Sequence, residues 1–378
     1  MRSLLVVHAV DRPGGAEMAL LRAAPLLAER GWRITMTSPS GRRPADAPES
    51  VTWRQQPVGG MGRGQGLAAL LAYRRFRALA AEHDVTLLNG TVPARLLPAL
   101  RPPGRPAARI ATRVAVHLHD MVERVPRFWD AADVLLADSR ACARPVAQRL
   151  GREIAVTGCP VDLDPPAIPP PWTPDGRPIV AFVGRIEPRK GPLDLLRAAD
   201  AITGAAPRTR IVVVGDDPYG SDPAYVRAVE RQAGAAGVER WPWQAAGPSL
   251  LRHVDVLVVP SRREPFGTVA AEALAAGVPV VASAVDGLVE VVEDGRTGRL
   301  VPPGDPVSLA HGVVWALRER LLLGDACRAS AQRWSREAVA ERIDAALRGA
   351  PVPEPESPAD ALSRAATGHA GAGTPEDA

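Results

Sequence analysis

Short apolar runs that alternate with helical patterns, on both sides of a proline-rich interruption, constrain the fold of this chain most. Before the interruption the runs are LLVVHAV, RITMTS, VTLLN, ARIATRVAVHLH and DVLLAD. After it they are PIVAFVG, TRIVVVG, DVLVVPS and VPVVAS. Between the first two runs, AEMALLRAAPLLAERG has helical spacing and is closed by Gly31. Buried strands that alternate with helices predict an α/β fold, in which helices cover both faces of a parallel sheet.

The interruption, VDLDPPAIPPPWTPDGRP, carries too many prolines for regular structure and is read as a linker. A chain of 378 residues is long enough for two domains of ordinary size. We predict doubly wound domains at residues 1–160 and 178–348, joined by a linker at 161–177. The tail at 349–378 has no apolar period and is expected to be disordered. Two such domains form a cleft between the carboxyl ends of their strands, where these folds bind ligands.

The overall composition fits a cytoplasmic globular protein. Hydrophobic residues make up 46% and charged residues 23% of the chain, and no apolar run is long enough to cross a bilayer. The first residues turn polar too early for a signal peptide. Three cysteines without close pairing or metal-ligand spacing fit a reduced compartment. The net charge of +4 gives no indication of nucleic-acid binding.

Two residue types occur once each. Lys190 is the single lysine among 46 basic residues, the other 45 being arginine, and Asn89 is the single asparagine. Codons for both residues are AT-rich, so a GC-rich genome is expected to replace them wherever it can. The positions where they persist are candidates for a chemical requirement, and chance survival is the alternative.

The segment VGRIEPRKG follows the first strand of the second half. Arg185 and Lys190 lie five positions apart around Pro188, so both cations can converge on one anion. A guanidinium can bind two oxygens at once, whereas an ammonium acts as a compact point charge. The alternative is a solvated basic turn, and the singular lysine favours the functional reading.

Two glutamates flank the start of an apolar helix in SRREPFGTVAAEAL. Glu264 precedes this helix, and Glu272 lies more than one turn inside it. The backbone amides of Phe266, Gly267 and Thr268 are expected to point out of the helix at its positive end. Taken alone, the two acids would be a helix cap and a surface charge.

Two glycine-rich segments differ in what they indicate. In DRPGGAEMAL, Gly14 and Gly15 open the first helix directly after the first strand, where free amides can approach an anion. An ordinary strand-to-helix turn is an equal alternative. In GGMGRGQG, at residues 59–66, the spacing matches neither a dinucleotide fingerprint nor a phosphate-binding loop, and a mobile loop on the cleft rim is the better interpretation.

Together, GGAE, GRIEPRKG, EPFGTVAAEALAAGVPVVAS and EVVEDGRTGRLVPPGD resemble the retaining glycosyltransferases of family 4. The resemblance covers about residues 1–348 and is strongest in the second domain. It implies the GT-B architecture, in which two Rossmann-like domains face an interdomain cleft. It also implies that Glu264 contacts the donor sugar, that Glu272 binds the ribose hydroxyls, and that Arg185 and Lys190 bind the diphosphate.

The resemblance extends to further residues. In HLHD it places His119 beside the reacting sugar, and a two-histidine metal site is the rival interpretation. Asn89 is predicted to contact the sugar or the acceptor. Asp216 and Trp243 fall near the expected base pocket, although as core or turn residues they would be unremarkable. The family's Asn-Gly-Val-Asp appears here as TGCPVD. Its Gly-Gly-x-Pro-Glu appears as VDGLVE, with Asp286 where glycine is usual.

The resemblance therefore predicts a retaining glycosyltransferase that moves a hexose from a nucleoside diphosphate sugar to an acceptor hydroxyl. The acceptor could be a small molecule, a secondary metabolite or an envelope glycan precursor. We identify no metal-binding Asp-x-Asp motif, so neither a metal nor another cofactor is expected. The predicted catalytic residues are Glu264, His119, Arg185 and Lys190, acting by a front-face mechanism without a covalent intermediate.

Several alternatives remain open at this point. The same fold would suit a sugar-nucleotide epimerase or an inactive donor-binding subunit. A pyridoxal phosphorylase is disfavoured because the single lysine is committed to the phosphate. The amphipathic helix at 67–83, with Arg74, Arg75 and Arg77, would suit a lipid-linked acceptor at a membrane. A solvated helix face explains it better, so peripheral membrane contact is not expected.

Overall fold

The computed structural model describes residues 1–45, 47–58, 66–104, 109–244 and 247–355, apart from the side chains of 66–71. Most of the glycine-rich segment and all of the tail beyond residue 355 lie outside these ranges, so the predictions made for them are not addressed. In the described ranges the chain builds two parallel sheets, each covered by helices.

The first sheet has seven strands in the order β3-β2-β1-β4-β5-β6-β7, and all of its pairings are parallel. Strands β4 and β6 consist entirely of buried residues, as expected for strands covered on both faces. The strands are β1 Arg2–Val7, β2 Trp32–Ser38, β3 Val51–Gln55, β4 Val85–Asn89, β5 Arg113–Leu118, β6 Val134–Ala137 and β7 Ala155–Val156. The helices between them are α1 Gly15–Glu29, α2 Gly66–Ala81, α3 Leu97–Leu100 and α4 Arg140–Leu150, with 3-10 turns at Pro93–Leu96 and Arg127–Ala131.

The second sheet has six parallel strands in the order β10-β9-β8-β11-β12-β13, the doubly wound order. Its strands are β8 Ile179–Val183, β9 Arg210–Val214, β10 Glu239–Trp241, β11 Val256–Val259, β12 Val280–Ser283 and β13 Gly298–Val301. Its helices are α5 Pro192–Ala205, α6 Pro223–Ala235, α7 Gly247–Leu251, α8 Thr268–Ala275, α9 Leu288–Val291 and α10 Pro306–Ala331, with a 3-10 turn at Pro188–Lys190. A further 3-10 turn, Gln332–Trp334, leads into α11 Arg336–Arg348.

The last helix requires a correction to the predicted domain boundary at residue 348. The apolar face of α11, including Val339 and Ile343, packs into the core of the first domain. Trp32 at the start of β2 also donates a hydrogen bond from Nε1 to Oδ1 of Asp344 (2.6 Å). The sequence shows that α11 is amphipathic but cannot show which sheet covers it. By its packing, α11 belongs with the first domain.

The linker has no helix or strand, in agreement with its proline content. Its Trp172 is nevertheless buried in the core of the second domain. The linker is therefore fixed to that domain. In the described part of the chain, no helix has both the length and the apolar character needed to span a membrane.

The carboxyl ends of the two sheets face each other, and hydrogen bonds join them. Ser139, just after β6, donates from Oγ to the carbonyl oxygen of Pro265, which follows β11 (2.5 Å). The carboxylate of Glu290 accepts hydrogen bonds from the backbone amides of Arg140 and Ala141 (both 2.9 Å). Glu290 of the second domain therefore caps α4 of the first, where a negative charge complements the helix dipole.

Candidate active site

A chain of buried polar groups crosses the carboxyl edge of the first sheet. Asp138 Oδ2 lies 2.7 Å from His119 Nδ1, and His119 Nε2 lies 2.6 Å from Asn89 Oδ1. The amide nitrogen of Asn89 lies 3.1 Å from His8 Nδ1 and donates to the carbonyl of Ala16 (3.2 Å). These residues follow or end β6, β5, β4 and β1, which are neighbours in the sheet. Asparagine suits this position because its side chain both accepts and donates.

Burial and charge give the residues of this hydrogen-bonded row different protonation states. Burial, together with the nearby charge of His119, lowers the pKa of His8 to about 3 and that of His117 to about 4. For His119, burial alone would lower the pKa, but the charge and hydrogen bond of Asp138, together with the charges of Glu17 and Asp120, outweigh it and the pKa is raised. The pKa of Asp138 is correspondingly held low, against its burial, by the charge of His119 and by hydrogen bonds from both histidines. His119 and Asp138 therefore form a buried ion pair flanked by two neutral histidines.

The same residues bear on the two-histidine metal site considered from the sequence. His117, His119 and Asp138 bring ligand-type atoms within 4.8 Å of one another. However, His119 Nδ1 and His117 Nε2 lie only 2.7 and 2.9 Å from the Asp138 oxygens. Ligands around a tetrahedral zinc ion are separated by about 3.3 Å, given Zn–N distances near 2.0–2.1 Å. The spacing thus fits direct proton-mediated contacts better than metal ligation.

The neutral histidines predict a pH-dependent stability. In the unfolded chain a histidine titrates near pH 6.5, above the folded pKa of either His8 or His117. Between these values the unfolded state binds protons that the native state does not, so the free energy of unfolding falls as the pH falls. We expect a loss of about 2 kcal/mol or more between pH 6.5 and 5, measured by urea denaturation. His119, whose pKa is raised, contributes stability that is present below pH 6.5 and lost at higher pH.

The variant His117→Gln provides the control for this pH dependence. It removes one of the two neutral histidines and should reduce the slope of stability against pH below 6.5 by about half. An unchanged slope in this variant would show that His117 does not carry the effect.

In the second domain, the loop after β11 holds Glu264 against the turn after β8. Lys190 Nζ donates to Glu264 Oε2 (2.6 Å), and Ser261 Oγ donates to the same oxygen (3.0 Å). Glu264 is 6% exposed. The turn can lie so close because position 191 is glycine, with φ +67°, where a Cβ would lie 2.2 Å from the carbonyl oxygen of Pro260. The lone lysine and the first glutamate are therefore direct partners.

The backbone of the Glu264 loop is fixed by Asp286. Asp286 Oδ2 accepts hydrogen bonds from the Glu264 amide (3.0 Å) and from Nε of Arg263 (2.9 Å). Its own backbone has φ +42°, a left-handed conformation that is unusual for a residue other than glycine. At Gly287 an added Cβ would lie 2.3 Å from the carbonyl oxygen of Pro265. Asp286 thus gains two hydrogen bonds at a position whose backbone favours glycine.

Helix α8 begins between the two glutamates. Its N-cap is Gly267, with φ +99°, and no described side chain caps it. Its first amides therefore lack partners within the helix. Further along α8, Glu272 Oε1 accepts a hydrogen bond from Nη1 of Arg22 in α1 (2.9 Å). Burial raises the pKa of Glu272, and the charge of Arg22 opposes this only in part. The second glutamate is thus bonded across the domains.

The remaining second-domain residues lie on loops after β8, β9 and β10. The guanidinium of Arg185 lies 3.3 Å from Glu187 Oε1 and 5.9 Å from the ring centre of Tyr219. Asp216 Oδ2 accepts a hydrogen bond from the Trp243 amide (2.7 Å), which joins the loops after β9 and β10. The side chain of Trp243 is 53% exposed. These loops lie at the same sheet edge as Lys190 and Glu264.

Comparison with known proteins identifies this second domain. Residues 177–319 match the family model described as glycosyl transferases group 1. The match covers the greater part of the second domain and less than half of the chain. The resemblance stated from its motifs is thereby confirmed, and β8, α8 and the Glu264 loop all lie inside the matched range.

Curated relatives of this glycosyltransferase domain carry one kind of name. D-inositol 3-phosphate glycosyltransferase 2 of Catenulispora acidiphila is 36% identical over 207 residues, which cover 50% of this chain and 48% of the relative. D-inositol 3-phosphate glycosyltransferase of Segniliparus rotundus is 41% identical over 179 residues, which cover 46% of this chain and 40% of the relative. The chain thus aligns with about half the length of the curated relatives it matches.

Solved structures match the whole architecture. HepE of Anabaena, in complex with UDP and glucose, has a TM-score of 0.73 at 23% identity and covers 92% of this chain and 100% of its own. A glycosyltransferase of Rickettsia africae has a TM-score of 0.75 at 15% identity, and the match covers 92% of this chain and 98% of that structure's chain. At these identities the likeness concerns the fold. The GT-B architecture predicted from the sequence is confirmed.

Three predicted first-domain contacts are placed differently from expectation. Asn89 is 2% exposed and its amide is occupied by protein partners, so it fixes the sheet edge instead of facing an acceptor. His119 is likewise enclosed, with both ring nitrogens bonded. The Gly14 amide donates to Glu17 Oε2 (2.9 Å) and is therefore part of the cap of α1. Gly15 is exposed, and its contact with the donor stays a prediction.

The predicted second-domain residues lie on α8 and on the loops that follow β8, β9, β10 and β11, at the carboxyl edge of the sheet. One of their side chains is turned away into the core. Phe266 is 3% exposed and packs edge-on against Trp334 with ring centres 5.0 Å apart, so only its backbone can face a ligand. Roles in donor binding for Arg185, Lys190, Asp216, Trp243, Gly267, Thr268 and both glutamates stay predictions.

Sequence reasoning missed several residues that the structure brings into the site. Arg22 is 250 positions from its partner Glu272. Asp138 had a visible signal, an acid at the end of the apolar run DVLLAD. An Asp-x-Asp triplet, Asp162 and Asp164, was also passed over in the linker. Both of its carboxylates pair with arginines, Arg336 and Arg252 respectively.

Proposed function

We propose that the protein is a retaining glycosyltransferase, which transfers a hexose from a nucleoside diphosphate sugar to an acceptor hydroxyl. One observation carries the proposal: two buried carboxylates, Glu264 and Glu272, flank the uncapped start of α8, and each is bonded to a cation. In this proposal Glu264 binds the donor sugar and Glu272 binds the ribose. The family of the second domain and the UDP and glucose bound by HepE support a nucleotide-sugar donor.

The diphosphate would lie between the two carboxylates, at the start of α8. The helix dipole and the amides at Gly267 and Thr268 favour negative charge there. Arg185 and Lys190 would supply positive charge from the turn after β8. As the bond between the sugar C1 and the diphosphate oxygen breaks, these groups stabilise the developing charge. The acceptor oxygen then bonds to C1 on the same face, and its proton passes to the departing diphosphate.

Within this proposal no metal is required, because preorganised cations and amides neutralise the leaving group. The protein is proposed to act in the cytoplasm, consistent with its free cysteines Cys142, Cys159 and Cys327, all of them buried.

The product is expected to keep the anomeric configuration of the donor, and turnover is expected to survive EDTA. The physical reason is that acceptor attack and leaving-group departure share one face, and that the stabilising charges belong to the protein. The measurement is NMR of the purified product, formed from a panel of nucleotide sugars and a cell extract as the source of acceptors.

Each alternative gives a different result in the same assay. An inverted product, or activity lost to EDTA and restored by Mg²⁺, contradicts the mechanism proposed here. An isomerised sugar formed from the donor alone indicates an epimerase. Donor binding without any hydrolysis or transfer indicates an inactive donor-binding subunit.

A further inference from the structure

A cavity of about 480 Å³ opens at the carboxyl edge of the first sheet. Its walls come from the loops that follow β1 and β2, and its apolar floor is Met18 and Leu21 of α1. Three arginines line it, Arg12, Arg42 and Arg43, and Asp11 is the one carboxylate among its lining residues. We call this cavity the arginine pocket.

The acid in the arginine pocket joins its two loops. Asp11 Oδ1 accepts hydrogen bonds from the Ser40 amide (2.8 Å) and the Ser40 hydroxyl (2.6 Å), and these bonds lower the pKa of Asp11. The turn beyond is closed by a hydrogen bond from the Arg42 amide to Ser40 Oγ (3.1 Å). At Gly41, with φ +76°, an added Cβ would lie 2.7 Å from Gln55 Cβ. The pocket is therefore built on a fixed turn.

The arginines have few partners of their own. Among the described residues, no carboxylate lies within 4.0 Å of the guanidinium of Arg12, Arg42 or Arg43. Arg43 donates from Nη2 to the carbonyl of Ala47 (2.9 Å), which holds it in place. Three like charges that converge on one cavity repel each other, and a dianion that bonds to several of them relieves this repulsion.

We infer that the arginine pocket binds a phosphate group carried by the acceptor. Guanidinium groups match phosphate oxygens in geometry and charge, and the apolar floor can cover the carbon skeleton beside them. All lining residues belong to the first domain, whereas the predicted donor residues other than Gly14 and Gly15 lie in the second. The inference rests on the proposed function, because it assigns the substrate class of the acceptor side of that reaction.

The pocket shares a loop with the carboxyl edge of the first sheet. In the sequence, its Arg12 and Pro13 lie between His8, which is bonded to Asn89, and the glycines that open α1. A phosphate bound there would hold an acceptor at the edge where the two domains meet.

The test compares phosphorylated and unphosphorylated probes by isothermal titration calorimetry on the full chain. The probe pairs are D-inositol 3-phosphate with inositol, and glucose 6-phosphate with glucose. We expect at least one phosphorylated probe to bind about tenfold or more tightly than its partner, as charge-assisted hydrogen bonds provide. The double variant Arg12→Gln and Arg42→Gln should abolish that difference. Arg149→Gln, an exposed arginine of α4, should leave it unchanged.

A second arm distinguishes a soluble phosphate from a phospholipid head group. Wild-type and double-variant proteins are sedimented with vesicles containing phosphatidylinositol. Pocket-dependent binding in this arm supports the inference with a lipid-borne phosphate, and pocket-dependent binding of a small probe supports it with a soluble acceptor. If neither arm shows binding, or if binding survives the double variant, the inference is overturned.

Donor binding is measured on the same proteins with UDP-glucose and GDP-mannose. If a nucleotide sugar binds but the arginine pocket shows no preference for phosphate, only the acceptor inference fails. If no nucleotide sugar binds or reacts, the proposed function itself fails.

Discussion

Lys190→Arg is expected to lower kcat/KM for the donor by roughly 30- to 150-fold, a loss of about 2–3 kcal/mol of transition-state stabilisation. The variant keeps the charge, and arginine is the residue that this chain uses at every other basic position. The ammonium of Lys190 lies 2.6 Å from Glu264 Oε2, in a turn closed by Gly191. We expect a planar guanidinium, which is larger than an ammonium, to displace this contact. The measurement is kcat/KM for the donor, with a melting curve to confirm folding.

The matched control for Lys190→Arg is Arg208→Lys, the reverse exchange at an exposed position. This control should keep wild-type kcat/KM. Near wild-type activity of Lys190→Arg would show that position 190 needs only charge. The single lysine would then be an accident of codon usage.

Glu272→Ala is expected to weaken binding of the nucleoside diphosphate by roughly ten- to a hundredfold. Losing a hydrogen bond to a charged group costs about 1.5–3 kcal/mol, and in the proposal this carboxylate binds the ribose. Glu264→Ala should instead lower kcat more than it lowers nucleotide affinity, because its proposed partner is the transferred sugar. Calorimetry with the plain nucleoside diphosphate, beside steady-state kinetics, separates the two effects. The reverse ordering would mean that the roles of the two carboxylates are exchanged.

A second variant is needed because Glu272 also bonds to Arg22 of the first domain. If the lost domain contact weakened nucleotide binding, Arg22→Gln would show the same loss as Glu272→Ala. We expect Arg22→Gln to bind the nucleoside diphosphate at least as well as wild type, since it leaves the Glu272 carboxylate free for the ribose. An equal loss in both variants would contradict the ribose assignment.

The sequence predicted those parts of the fold that follow from local pattern. Strands such as β6 and β11 are continuous apolar runs, so their position and burial could be predicted directly. The strands that were not predicted lie at or near sheet edges. Strand β3 is half exposed and β7 has only two residues, so neither carries an apolar run. The packing of α11 on the first domain is a tertiary choice that amphipathicity leaves open.

In the candidate site, too, local motifs could be recognised from the sequence, whereas contacts between distant positions could not. Motif spacing singled out Lys190, Glu264 and Glu272, which lie on neighbouring loops and on α8, and their roles in donor binding stay predictions. The partners that fix them come from distant positions: Arg22 for Glu272, and Asp286 for the Glu264 loop. Asn89 shows the converse. Its rarity led to the prediction of a contact with the sugar or the acceptor, whereas the structure places its side chain between His8 and His119, bonded to both.

The most direct measurement is a crystal structure of the protein with a bound nucleoside diphosphate sugar. The proposed function predicts that Glu264 contacts the sugar, that Glu272 accepts hydrogen bonds from the ribose, and that the diphosphate lies at the start of α8 beside Arg185 and Lys190. The distance from Arg22 Nη1 to Glu272 Oε1, 2.9 Å in the present structure, should lengthen as the ribose takes its place. A donor bound elsewhere, with the Arg22–Glu272 and Lys190–Glu264 ion pairs unchanged, would rule out these roles.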